Sequence, residues 1–432
     1  MRNSCIALIF LLFSHSVYSA AKIEHWQTSQ GSSVFYIETK GLPMVDIQVV
    51  FDAGSARDGA QQGIAALTSG LLDTGAGTWS ADEIAQRFES VGAQFGTSAS
   101  KDMAKLTLRS LTEEKLLSKA LQTMRVILTE PVFNEADFQR EKSRTLAGLK
   151  HREESPGAIA GIEFFKSLYQ NHPYAHASAG NIKTVSALSV KDSQAFYKQF
   201  YVSSNAMVVI VGDLDKQQAM LTAESLLSGL QKGTKPEVIP EVKFSTQGVK
   251  KHIEFPSTQT HVLAGLIGMH RKDPDYINLY VGNHILGGSG LVSQLFEEVR
   301  EKRGLAYSAY SYFSPLLRKG PFTMGLQTRN DQTSQAVEVM QNTLSNFVEQ
   351  GPTEKALIAA KKNITGGFVM RFDTNRKLTG YVAMIGFYQL PLDYLDGFQQ
   401  KVEAVTIASI KDAFQRRVRP EYIHTITVGG SK

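Results

Sequence analysis

Arg300 and Tyr307, seven positions apart in REKRGLAY, form the pair whose residue types and spacing best suit a reaction. Leu291, Leu295 and Val299 recur ahead of them at helical spacing, KRG acts as a stop, and Tyr307, Ala309 and Ser311 alternate afterwards as in a strand. The pair therefore belongs to a helix end and the start of the next strand. A guanidinium fork and a phenol hold a peptide carbonyl and stabilise the oxyanion that forms when water attacks it. On composition alone, a structural stack or hydrogen bond between Arg and Tyr is the commoner use.

Other chemistry-bearing residues give weaker signals. His172 and His176 in NHPYAHAS are four apart, but the preceding Asn and the Pro between them put both in a loop, where a shared helix face does not apply. A surface or packing role is expected there. His151, His252, His261, His270, His284 and His424 are isolated. LGGSG, with Gly287, Gly288 and Gly290, lacks both the Lys-Ser/Thr of a phosphate loop and the G-x-G-x-x-G spacing, and it reads as a turn before a helix. GIAALTSGLLDTGAGT opens as a helix at residue 63 yet holds one acidic group, Asp73, read as a solvated carboxylate, and no histidine or cysteine.

The elements that carry these residues occur twice. VSALSVKDSQAFYKQFYVSSNAMVVIVGD pairs with VTIASIKDAFQRRVRPEYIHTITVGG, matching Val185, Val190, Lys191 and Asp192 with Val405, Ile410, Lys411 and Asp412. Glu135 and Lys142 in NEADFQREKSRTLAG answer Glu354 and Lys361 in TEKALIAAKKNITGG. Each copy has strands, a helix, further strands, several helices and a last strand. That pattern predicts an α+β fold of two homologous sandwiches, each an antiparallel or mixed sheet with helices on one face. The expected division is a signal over 1–21, a first domain over 22–227, a linker over 228–248 rich in Gly, Pro, Lys and Ser, and a second domain over 249–432. Two lobes joined by such a linker could close around a ligand.

Composition sets the outer bounds. The chain has 432 residues with 42% hydrophobic and 20% charged side chains, the balance of a folded protein with a sizeable core. Its formal charge of +5 is spread among acidic residues, so no basic stripe points to nucleic acid. Arg2, the apolar run Cys5 to Phe13 and the small residues Ser19, Ala20 and Ala21 form the layout of a cleavable secretory signal, too short to persist as a membrane span. An exported, periplasmic chain is expected, and removal of the signal takes away the single cysteine.

The phrases GSARD…GIAALTSGLLDTGAGTWSADEIAQRFESVGAQF, HPYAHASAGN, FYVSSNAMVVIVGD and ILGGSGLVSQLFEEVREKRGLAYSAYS resemble the pitrilysin-like zinc peptidases over almost the whole chain after the signal. Catalytic members carry H-x-x-E-H on the first helix, two zinc-holding histidines with a glutamate that activates water, and a third glutamate ligand on a later helix. Here those positions are Ala66, Ser69 and Gly70, and Ala147 stands, between Leu146 and Gly148, where the later glutamate belongs. The resemblance thus implies no metal on this chain. It also implies that Arg300 and Tyr307 are the Arg and Tyr that such peptidases contribute from their second half, and it leaves open a substrate-handling role for Gly287, Gly288 and Gly290.

The same resemblance implies a subunit inactive alone. It would form half of a clam-like chamber, with zinc on a homologous partner polypeptide and a peptide substrate extended along a sheet edge. Two rivals have different signatures. A scaffold protein of this fold would be expected to lose the Arg and Tyr pair too, and a stand-alone zinc peptidase with an unorthodox site would bind zinc when pure.

Overall fold

A computed structural model describes residues 22–430; the segment read as an export signal lies outside the described residues. In the first half, β1 (Glu24–Gln27), β2 (Ser33–Glu38) and β3 (Met44–Phe51) lead to α1 (Ile64–Leu71). A short hairpin, β4 (Gly75–Ala76) and β5 (Trp79–Ser80), precedes α2 (Ala81–Glu89), β6 (Gln94–Ala99) and β7 (Ala104–Leu111). Then come α3 (Glu114–Thr129), α4 (Glu135–Glu153), α5 (Pro156–Tyr169), α6 (Ile182–Ala187), α7 (Val190–Phe200), β8 (Ala206–Gly212) and α8 (Lys216–Leu227).

The second half repeats the scheme. β9 (Lys250–Glu254) and β10 (Gln259–Ile267) precede α9 (Tyr276–Asn283), α10 (Gln294–Phe296), β11 (Ala306–Phe313) and β12 (Pro321–Arg329). Four longer helices and one short one follow: α11 (Thr333–Gln350), α12 (Glu354–Gly366), α13 (Asn375–Phe387), α14 (Phe398–Glu403) and α15 (Ile407–Arg417), before β13 (His424–Gly429).

The first sheet runs β1-β2-β8-β3-β7-β6 and the second β9-β13-β10-β12-β11, the same order apart from the extra β1. In each, one pair is parallel, β2 with β8 and β9 with β13, and the other neighbours are antiparallel. The two mixed sheets and their helices are the α+β architecture that the repeat predicts. β8, AMVVIVG, is buried at every residue, because its sheet is covered on both faces.

That double cover comes from an exchange of helices. α5 leaves the first half and packs on β10 and β13 of the second sheet, and its counterpart α13 packs on β3 and β8 of the first. Ala160, Phe164 and Leu168, at i, i+4 and i+8 on α5, are buried in one cluster with Ile267, Ile426 and Val428. Burying Phe164 and Leu168 is worth about 1.5–3 kcal/mol each. Asp102 adds a polar tie, accepting from Tyr174 Oη at 2.6 Å, Leu317 N at 2.8 Å and Tyr388 Oη at 3.0 Å, one donor from the first half and two from the second.

Two expectations are corrected. Ser189 caps α7 and Thr406 caps α15, so the halves align there one helical turn out of step with the pairing of Lys191 and Lys411. The segment 228–248 is also no loose hinge. Ile239 and Val242 are buried, Arg57 donates to Glu237 O at 2.5 Å, and Arg318 Nε donates to Ile239 O at 2.6 Å. With the exchanged helices, this strap holds the halves as one body.

Candidate functional site

α1 is held firmly at its start. Asp58 accepts from Gly63 N at 2.7 Å and Ala65 N at 3.0 Å, satisfying donors that a helix start leaves free. Gly63 takes φ 99°, and a Cβ there would lie 2.8 Å from Ala179 O, so only glycine serves. Asp58 is buried beside His176, with Nδ1 to Oδ2 at 3.8 Å, and near Lys101. Burial pushes its carboxyl up to about 7 and the Lys101 ammonium down to about 8.

The exposed face of α1 carries no chemistry to match. Ala66 and Gly70 are half-exposed one turn apart, while Ser69 is buried with its hydroxyl toward Tyr201. On α4, Ala147 and Gly148 face solvent. The carboxylate that does approach is Glu141, whose Oε2 lies 3.7 Å from where a Gly70 Cβ would stand and which pairs with Arg144 at 2.5 Å. Asp73 is half-buried, not solvated as expected; burial first, then the charge of Glu141, holds its carboxyl above the usual range. Zinc needs a third protein ligand and favours imidazole or thiolate. Two carboxylates with an arginine across one of them do not fit it, and no group of three or more His, Cys, Asp or Glu able to hold a metal occurs among the described residues.

Glu141 is the residue that sequence reasoning misses, because the family's later ligand position falls on residues 146–148. Its signal is nevertheless in the chain: Glu141 lies two helical turns before Gly148, on the same face.

The second half presents the Arg and Tyr pair. α10 runs into a π-helical turn, Glu297–Glu301, that ends beneath β11. Arg300 Nη1 donates to Tyr307 O at 3.0 Å, and its guanidinium carbon lies 4.4 Å from the Tyr307 ring centre and 5.1 Å from that of Phe296. The register of β11 on β12 shifts between Ala306 and Ala309, which leaves Tyr307 and Ser308 outside the ladder. Tyr307 is consequently 81% exposed. Its stacked guanidinium has no carboxylate partner among the described residues. Two donors, one planar cation and one phenol, thus stand together at a sheet edge.

Gly287 and Gly288 belong to a π-helical turn, His284–Gly288, that continues α9. A Cβ on Gly287 would lie 2.4 Å from Ser311 N, so this glycine lets the turn press on β11. Gly290 is open, with φ 63°, and a Cβ there would meet nothing within 4 Å. His172 and His176 flank a 3-10 turn and are engaged with protein groups: His172 Nδ1 accepts from Tyr174 N at 3.1 Å and its Nε2 lies 3.0 Å from Pro240 O, and His176 Nδ1 lies 3.0 Å from Ala177 O as well as near Asp58. Among the isolated histidines, His424 Nδ1 is 2.6 Å from Ser167 Oγ, and His252 Nδ1 is 2.9 Å from Thr427 Oγ1.

Comparison with known proteins finds one peptidase family in both halves. The family described as insulinase (peptidase family M16) matches residues 33–181, and the peptidase M16 inactive domain matches residues 187–364. A crystal structure of a peptidase M16 inactive domain from Pseudomonas fluorescens superposes with a TM-score of 0.92 at 35% identity, covering 95% of this chain and 98% of the other. A Helicobacter pylori protein described as a non-peptidase homolog is 26% identical over 418 residues, 95% of each chain. An uncharacterised zinc protease of Rickettsia felis is 26% identical over 356 residues, 80% of this chain and 84% of its own.

Proposed function

Since the chain belongs to the M16, or insulinase, peptidase family, we propose that it is the zinc-less subunit of a two-chain peptidase, lending Arg300 and Tyr307 to a homologous partner that holds zinc. One observation carries this reading: the face of α1 is stripped to Ala66 and Gly70, while half-exposed Arg300 and exposed Tyr307 remain stacked, with no carboxylate partner among the described residues. A scaffold with no reaction to serve has no use for an unpaired guanidinium beside an 81% exposed phenol.

In this reading the chain and its partner enclose a chamber. A peptide lies extended against an edge strand, and both β6, which packs beside α1, and β11, which carries Tyr307, are such edges. The guanidinium of Arg300 and the hydroxyl of Tyr307 donate to the scissile carbonyl oxygen. Those hydrogen bonds strengthen as the oxygen gains charge, which lowers the barrier more than it tightens substrate binding. The signal-like layout of Arg2, the apolar run Cys5 to Phe13 and the small residues after it supports a location outside the cytoplasm, in a periplasm.

The test mixes the purified chain with a homologue that has an intact H-x-x-E-H and follows hydrolysis of a fluorogenic peptide. Activity is expected from the mixture and not from this chain alone. Chelator-sensitive hydrolysis by the lone chain would overturn the reading in favour of a stand-alone peptidase. A mixture no faster than the partner by itself, despite complex formation, would leave a scaffold.

A further inference from the structure

In the second half, α9 follows β10 as α1 follows β3, and α12 answers α4. Where the first half is bare at the corresponding junction, the second holds two joined cavities, of 490 and 910 Å³. Arg271, Tyr276, Tyr280, Arg371 and Tyr388 line both and stand between them. The smaller runs inward to Phe368 and Phe398, and the larger opens along β11 toward Gly290. Neither wall includes an Asp or a Glu.

Three half-buried arginines elsewhere in this chain each have a carboxylate. Arg57 pairs with Asp52, Arg109 with Asp46 at 2.8 Å, and Arg417 with Asp273 at 2.9 Å. Arg271 and Arg371, like the half-buried Arg87 and Arg300, have no carboxylate partner among the described residues. Arg371 donates to Tyr280 Oη at 2.5 Å. Arg271 makes two long contacts, both 3.3 Å, to Tyr276 Oη and Pro315 O, and its buried Nε has no hydrogen-bond partner. Its guanidinium carbon is 5.4 Å from the Tyr388 ring centre. Lys377 at the wall already has Asp373 at 2.8 Å, and Asp102 sits behind the Tyr388 hydroxyl without lining either cavity. A shielded cation without a counter-charge is costly, and an incoming anion would relieve that cost.

We propose that this cavity binds an organic carboxylate carried on an apolar or aromatic body, with Arg271 and Arg371 receiving the carboxylate and the tyrosine and phenylalanine walls receiving the body. The volume suits a ligand of one to a few residues. Two sources share this chemistry: the C-terminus of a peptide and a free carboxylic acid. The site needs neither a partner chain nor hydrolysis.

The test is calorimetric titration of the purified chain alone with N-acetyl-Ala-Phe as the free acid, with its C-terminal amide, and with 3-phenylpropionate. The peptide acid is expected to bind about tenfold or more tightly than the amide, since a charge-assisted bond is lost with the amide. Arg271→Gln and Arg371→Gln should each bring the acid down to the level of the amide, and Arg329→Ala, at an exposed arginine that lines neither cavity, should leave it unchanged. If phenylpropionate matches the peptide acid, the source is a free acid; if the peptide is much tighter, it is a peptide terminus. Equal binding of acid and amide, or no binding of either at millimolar concentration, overturns the proposal. So does unchanged acid affinity in the folded double variant. Should that variant not fold, the acid and amide titrations of the unaltered chain decide. Failure here leaves the peptidase-subunit reading standing, because that reading is measured only with the partner present.

Discussion

The two halves share a strand order and an exchanged helix, yet their corresponding junctions have opposite chemistry. Between α1 and α4 the first half shows Ala66, Gly70, Ala147 and Gly148, small residues over a carboxylate pair. Around α9 and the end of α12, the second half gathers Tyr276, Tyr280 and Arg371 with Arg271, and Arg300 and Tyr307 lie farther along the same half. The scaffold at α1 has nevertheless been kept, down to the Asp58 cap and the left-handed Gly63. Packing and chemistry are therefore separable in this fold. In the proposed reading the first half serves as structure, and the groups that would act on a substrate reside in the second.

Arg300→Ala puts that division to its hardest trial. In the mixture with a zinc-bearing homologue, kcat should fall by about 10²–10³, the usual effect of removing an oxyanion donor. Tyr307→Phe should cost less, because the ring stack survives. Neither should shift the Tm of the lone chain by more than a degree or two, since Arg300 is half-exposed and Tyr307 is exposed. A large loss of stability with unchanged kcat would show the pair to be a structural stack.

Asp58 tests the other half through pH. Burial raises its native carboxyl to about 7, while an unfolded Asp titrates near 3.9. The native state therefore holds the proton more tightly. Its contribution is full below about pH 4 and is lost as pH rises through about 7. Urea unfolding of the parent and of Asp58→Asn should show the parent losing roughly 3 kcal/mol relative to the variant between pH 4 and 7, and little further above. A difference that does not change with pH would mean the carboxylate is ionised throughout.

Much of this was legible in the chain itself. Period-2 alternation in AKLTLRSL and the apolar run AMVVIVG mark strands, and the recurrence of the whole pattern marks two homologous sandwiches. The empty positions 66, 69 and 70 follow from one phrase anchored on Gly63. Other features lie in pairings that the chain does not spell out. An apolar stripe on α5 says that something covers it, not that the cover is the other sheet. The matched Lys and Asp of the last helices are surface residues, and the caps overruled them. Residues 228–248 look flexible in composition, but Ile239 and Val242 anchor them. Arg271 and Arg371 stand 100 positions apart on separate elements, so only folding shows that they share a cavity.

Gly63→Ala measures how strictly the emptied helix is still held. A side chain in the left-handed region costs about 1–2 kcal/mol, and the approach of Ala179 O to 2.8 Å adds to it. Gly290→Ala also meets a positive φ but open space, so it should lose less in the same denaturation experiment. Equal losses would show that the contact at α1 relaxes freely. In that case the scaffold of the first half is no tighter than a surface turn of the second.

Ala66→His should change least of all. The new imidazole would stand alone on a half-exposed helix face, with Gly70 offering no second ring and Ala147 no carboxylate. Zinc needs three protein ligands converging on one point, so metal analysis of the purified variant should find no stoichiometric zinc and the lone chain should remain without peptidase activity. Stability should change by less than about 0.5 kcal/mol, as for other substitutions away from the core. Stoichiometric zinc in this variant would mean that Glu141 and Asp73 already form most of a site, and that the first half lies one residue from the chemistry it lacks.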